Sequence, residues 1–118
     1  EPDSFNGLYE CLKYLILRSN YLTKCDGNQF KNFQNLNTLE LNENRFVVID
    51  ADICFPNSKI LNLHMIRNQL VNFNGGKKSL QDLDALFLLD NSFFILNEHH
   101  SFLNNLNTTK LKRLFLSN

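Results

Sequence analysis

A spacing of leucines recurs along the chain with a register that a single closed core would not require. Residues 36–46 read Leu-Asn-Thr-Leu-Glu-Leu-Asn-Glu-Asn-Arg-Phe, with leucine at the first, fourth and sixth positions, asparagine at the ninth and an apolar residue at the eleventh. The same frame holds Leu12, Leu15, Leu17, Asn20 and Leu22 before it. After it come Ile60, Leu63, Met65, Asn68 and Leu70, then Leu83, Leu86, Leu88, Asn91 and Phe93, and finally Leu111, Leu114 and Leu116. Starts at 12, 36, 60, 83 and 111 set periods of 24, 24, 23 and 28 residues. Self-similarity at such periods marks a stack of like coils, each unable to bury its apolar face alone.

The frame dictates local structure. Alternation around its fourth to sixth positions is strand periodicity, so Leu39 and Leu41 point inward and Glu40 outward. The fold class that follows is an α/β solenoid: a horseshoe segment with a concave parallel β-sheet and a convex side of irregular loops and short helices. A buried amide both donates and accepts, so Asn20, Asn44, Asn68 and Asn91 are expected to form a structural ladder where the chain bends after each strand. The whole chain, 1–118, reads as one segment with coils at 12–35, 36–59, 60–82 and 83–110. Partial coils at 1–11 and 111–118 imply truncation at both ends. Phe5 and Leu8 match Phe30 and Phe33 ahead of the next coil. Gly75 and Gly76 imply that the third coil crosses the convex face as a loop.

Twelve basic and twelve acidic residues cancel, which argues against nucleic acid or an anionic membrane as the main partner. The apolar run 85–89 is far too short to span a bilayer. Cys11, Cys25 and Cys54 have no zinc-ligand spacing. Cys25 at the fourteenth position and Cys54 at the nineteenth both read as buried thiols rather than a bridge. The stretch 75–79, Gly-Gly-Lys-Lys-Ser, lacks the leading glycine and the hydroxyl residue of a phosphate loop. Glu98, His99 and His100 have no second ligand group at a useful spacing. No nucleophile pattern is present, so the chain reads as a non-enzyme with no metal and no cofactor.

The informative surface is the concave one. Columns at the fifth and seventh strand positions place Ile66, Phe87, Leu89 and Phe115 together, rimmed by Arg67, Asp84, Asp90 and Arg113. An exposed apolar cluster of this kind marks a partner site or dimer surface, the alternative being that a lateral loop of the long fourth coil folds over it. His64, between Glu40 and Phe87 in its column, reads first as an ordinary surface histidine; the sharper alternative is a pH sensor, in which a nearby carboxylate favours the charged imidazole and couples binding to endosomal acidity. Asn42, also outward, is expected to tolerate alanine.

The consensus, the phenylalanine at the nineteenth position and the irregular repeat lengths resemble the extracellular leucine-rich repeats of Toll-like receptors. That resemblance implies a segment outside the cell or in the endosomal lumen. It would bind a protein or microbial ligand on its concave or lateral face, with receptor dimerisation relaying the signal. Asn107-Thr108-Thr109 is a glycosylation sequon consistent with such a location. A secreted or cell-surface adhesion protein with the same repeats is the alternative.

Overall fold

A computed structural model describes residues 6–56, 58–76, 78–92 and 110–116. Each coil contributes one three-residue strand to a five-stranded parallel sheet: β1 (Tyr14–Ile16), β2 (Thr38–Glu40), β4 (Asn62–His64), β6 (Ala85–Phe87) and β7 (Arg113–Phe115). The register follows the sequence frame, with Leu15, Leu39, Leu63, Leu86 and Leu114 as successive partners. This is the expected parallel-strand solenoid, and it contains little helix.

Burial follows the pleat. Leu39, Leu41, Leu63, Met65, Leu86 and Leu88 are fully buried between coils, while their strand neighbours face the concave side. Toward the ends of the stack the burial weakens. Leu12 and Leu17 are half-buried, and Leu114 and Leu116 are exposed, with no described coil beyond them. A leucine in this frame is thus buried by its neighbouring coil, as quasi-one-dimensional stacking requires.

The return side holds a second parallel sheet that the alternation rule missed, β3 (Val48–Asp50) paired with β5 (Asn72–Asn74). Its central residues, Ile49 and Phe73, occupy the frame's fourteenth position and are buried. Two one-turn helices follow the same part of the coil, α1 (Gly27–Phe30) and α2 (Ala51–Cys54). Both start at an aspartate: Asp26 accepts from the Asn28 N–H, and Asp50 from those of Asp52 and Ile53.

Three expectations are corrected here. Cys25 and Cys54 are not buried thiols but a disulfide, with Cα atoms 5.3 Å apart, joining the return sides of the first two coils; Cys11 is free and exposed. Leu8 does not take the place of Phe33, since it is exposed. Tyr9, 24 residues before Phe33, meets that ring edge-on at a centroid distance of 5.0 Å. The third coil does not cross its return side as plain loop, because β5 runs directly into the glycines.

The glycines begin where β5 ends, for a steric reason. Gly75 has φ +75°, and a Cβ there would lie 2.7 Å from Asp52 Oδ2. The close approach is functional for the fold, since Asp52 Oδ1 accepts from the Gly76 N–H at 3.1 Å. Gly75→Ala is therefore expected to destabilise by about 2 kcal/mol, from left-handed strain plus displacement of Asp52, measured as a lower denaturation midpoint. Retention of the midpoint would show that the Asp52 contact is dispensable.

Candidate partner-binding surface

The rings of the fifth-position column form a continuous stack. His64 and Phe87 lie parallel within 6° at a centroid distance of 4.1 Å, and Phe87 and Phe115 within 5° at 4.8 Å. The cause is register. Parallel pairing places His64, Phe87 and Phe115 side by side, at roughly the spacing of hydrogen-bonded strands. Ile66 and Leu89, half-buried on the next outward column, extend the apolar area. Five of the expected site residues, His64, Ile66, Phe87, Leu89 and Phe115, thus lie on one face.

The polar rim is closed upon itself. Arg67 Nε meets Asp90 Oδ2 at 3.4 Å, so these two candidate contacts pair with each other. Arg18 pairs with Glu43, whose hydrogen bond and charge hold the Glu43 carboxyl below its ordinary range and raise the Arg18 guanidinium. On the other flank Arg113 Nη2 reaches Asp84 at 3.0 Å and Asn62 at 3.5 Å. Ala85 stands in register between Asn62 and Arg113. The guanidinium therefore passes over the small side chain, and Ala85, on the concave side of its strand, is fully buried. Asn62 in turn donates to Thr38 Oγ1 at 3.3 Å, so a polar row runs beside the rings. Exposed pairs of this kind add little stability, but they leave the rings as the uncharged centre of the surface.

Two features escaped sequence reasoning. Ser19, Glu43, Arg67 and Asp90, all at the eighth position, share φ between 56° and 60°. This left-handed turn, costly for side chains with a Cβ, carries the chain from each strand to the ladder asparagine. The recurrence of polar residues there was the available signal. Second, Asn42 is not a free outward side chain: its Oδ1 accepts from the Ile66 N–H at 2.7 Å and its Nδ2 donates to Glu40 at 3.1 Å. Its expected tolerance of alanine is withdrawn.

His64 is also corrected. Burial against its neighbours lowers its pKa from the ordinary 6.5, outweighing Glu40, which acts to raise it. The neutral imidazole is thus the form favoured in the stack. A depressed pKa means that the unfolded chain binds the proton more readily. The stabilisation is complete above the unfolded value of 6.5 and is lost as pH falls through the folded one. Melting temperature should drop on acidification through this window, and His64→Gln should flatten that part of the profile. An identical slope in both proteins would assign it to other groups.

Asn107, the Glu98-His99-His100 stretch and the lateral part of the fourth coil lie outside the described residues. Among the described residues no group of His, Cys, Asp or Glu is arranged to hold a metal ion, and no helix is long and apolar enough to cross a membrane.

A leucine rich repeat family model matches residues 10–70, more than half of the 118 residues. The chain belongs to the leucine-rich repeat family, a fold of protein interaction that is typically non-enzymatic. No curated protein matches it.

Proposed function

We propose that this chain is an extracellular recognition segment of a Toll-like innate immune receptor, binding a protein or microbial ligand at the concave ring stack. The observation that carries the reading is the stack itself: His64, Phe87 and Phe115 form a continuous row of parallel rings on the concave face, flanked by paired charges. Aromatic residues surrounded by satisfied polar groups are the usual composition of an interface centre. The Cys25–Cys54 bridge supports a location outside the reducing cytosol. The 24-residue form with Phe30 at its nineteenth position supports an extracellular repeat protein over a cytosolic scaffold.

A photo-activatable residue replacing Ile66 should cross-link an extracellular partner, while one replacing Val48 on the return side should not. Against the partner so identified, Phe87→Ala should weaken binding by about 2 kcal/mol, the loss typical of an anchor ring, and Lys13→Ala should be near neutral. Binding is read well below the melting temperature, because removing the middle ring of a stack also costs some stability. Equal affinities for the parent and Phe87→Ala would move the site off the concave face.

A further inference from the structure

Neighbouring coils are joined in two different ways on the return side. Between the second and third coils there is a ladder: β3 pairs with β5, and Gln69 and Val71 donate to the Phe46 and Val47 carbonyls at 2.9 Å each. Between the first and second coils, no backbone hydrogen bond links residues 23–32 to residues 46–56 among the described residues. What joins them is the Cys25–Cys54 bond and the contact of the Phe30 and Phe55 rings, 5.8 Å between centroids. Cys25 occupies the frame position that Ile49 and Phe73 hold in β3 and β5, so a covalent bond stands where the following coils have a ladder.

Backbone hydrogen bonds to other coils hold the arm only at its ends, and Phe30 alone anchors its middle in the core beside the disulfide. Leu22 accepts from the Arg45 N–H at 2.8 Å, and Gln34 donates to the Tyr9 carbonyl at 3.3 Å. Beneath it runs a cleft with Phe30 and Phe33 from the first coil, Leu36, Phe55 and Pro56 from the second, and Ile60 from the third. The strand side of the first coil is held independently. Leu17 donates to Glu40 at 2.8 Å and Asn37 to Lys13 at 2.9 Å, and Asn44 binds the Asn20 and Leu22 N–H groups at 3.0 Å.

We propose that residues 23–32 form a thiol-controlled flap, and that reducing Cys25–Cys54 releases it from the second coil while the five-stranded sheet persists. A dithiol supplies the two electrons. Its thiolate attacks Sγ of Cys25, the less buried cysteine, and the cleaved S–S pair leaves on Cys54 Sγ. The second thiol of the reductant then closes its own disulfide and releases Cys25. The two thiol protons end on the two cysteines.

Amide hydrogen exchange on the oxidised and dithiothreitol-reduced chain tests this. The Gln29 and Phe33 amides, bonded to the Asp26 and Phe30 carbonyls, should exchange about tenfold faster or more after reduction, with Leu41 and Met65 unchanged. Fluorescence of an anilinonaphthalene sulfonate dye should rise in parallel. The Cys25→Ala/Cys54→Ala variant should match the reduced protein without any reductant. Unchanged exchange at Gln29 and Phe33 would overturn the flap. So would loss of protection at Leu41 and Met65 together with them, since the bridge would then support the whole stack.

Discussion

Leu41→Asp is expected to unfold the chain at room temperature or leave it barely folded, with a loss of more than about 4 kcal/mol. Leu41 is fully buried in the middle of the stack, and its N–H is already committed to the His64 carbonyl at 2.7 Å. The substitution removes the apolar contact and places a carboxylate between two coils. Arg18 and Arg67 are engaged in ion pairs on the concave surface. Protonating the new carboxyl would lessen the penalty, so the variant should regain some stability at acid pH while the parent does not. Circular dichroism during urea unfolding measures it. A midpoint within error of the parent's would mean that Leu41 is not an inter-coil contact.

The sheet was legible because each strand repeats one local rule, and errors in one coil are corrected by the next. Leu39, Leu63 and Leu86 share a frame position, and pairing them side by side needs no further information. What was not legible depends on contacts between different frame positions. Cys25 at the fourteenth position and Cys54 at the nineteenth both read as inward. Their meeting requires knowing that the return arm of the first coil has no ladder to hold its spacing. Asn42 reads as outward, and only the position of the Ile66 N–H shows that its amide bridges to the next coil. The sign of the His64 shift was misread because a sequence shows the neighbouring Glu40 but not the desolvation by stacked rings, which is the larger effect. The candidate surface was legible as a set of residues. Its closure by Arg67–Asp90 and Arg113–Asp84 was not, since those pairs cross 23 and 29 positions of sequence.

Asn44→Ala is expected to be the most damaging of the ladder substitutions, at about 3 kcal/mol. Its Oδ1 accepts from the Asn20 and Leu22 N–H groups at 3.0 Å each, and its Nδ2 donates to the carbonyls of Leu17 and Leu41 at 3.0 Å and of Asn42 at 3.2 Å. One side chain thus serves both its own turn and the preceding coil. Asn68 and Asn91 repeat the arrangement: Asn68 donates to Leu41 and accepts from the Phe46 N–H, and Asn91 donates to Met65 and accepts from the Leu70 N–H. All three are buried, so water cannot replace the lost partners. Asn20 is different. It is exposed, and its side chain donates to the Arg18 carbonyl two residues away. It therefore serves as the control, and Asn20→Ala should cost about 0.5 kcal/mol. Asn44→Asp separates shape from hydrogen bonding, because it keeps the acceptor and loses the donor. Its cost should approach that of alanine, since three carbonyls lose their donor and a carboxylate is left facing them. Equal losses for Asn20→Ala and Asn44→Ala in chemical denaturation would refute the ladder, whereas a clear gap between them ties stability to the amide that bridges two coils.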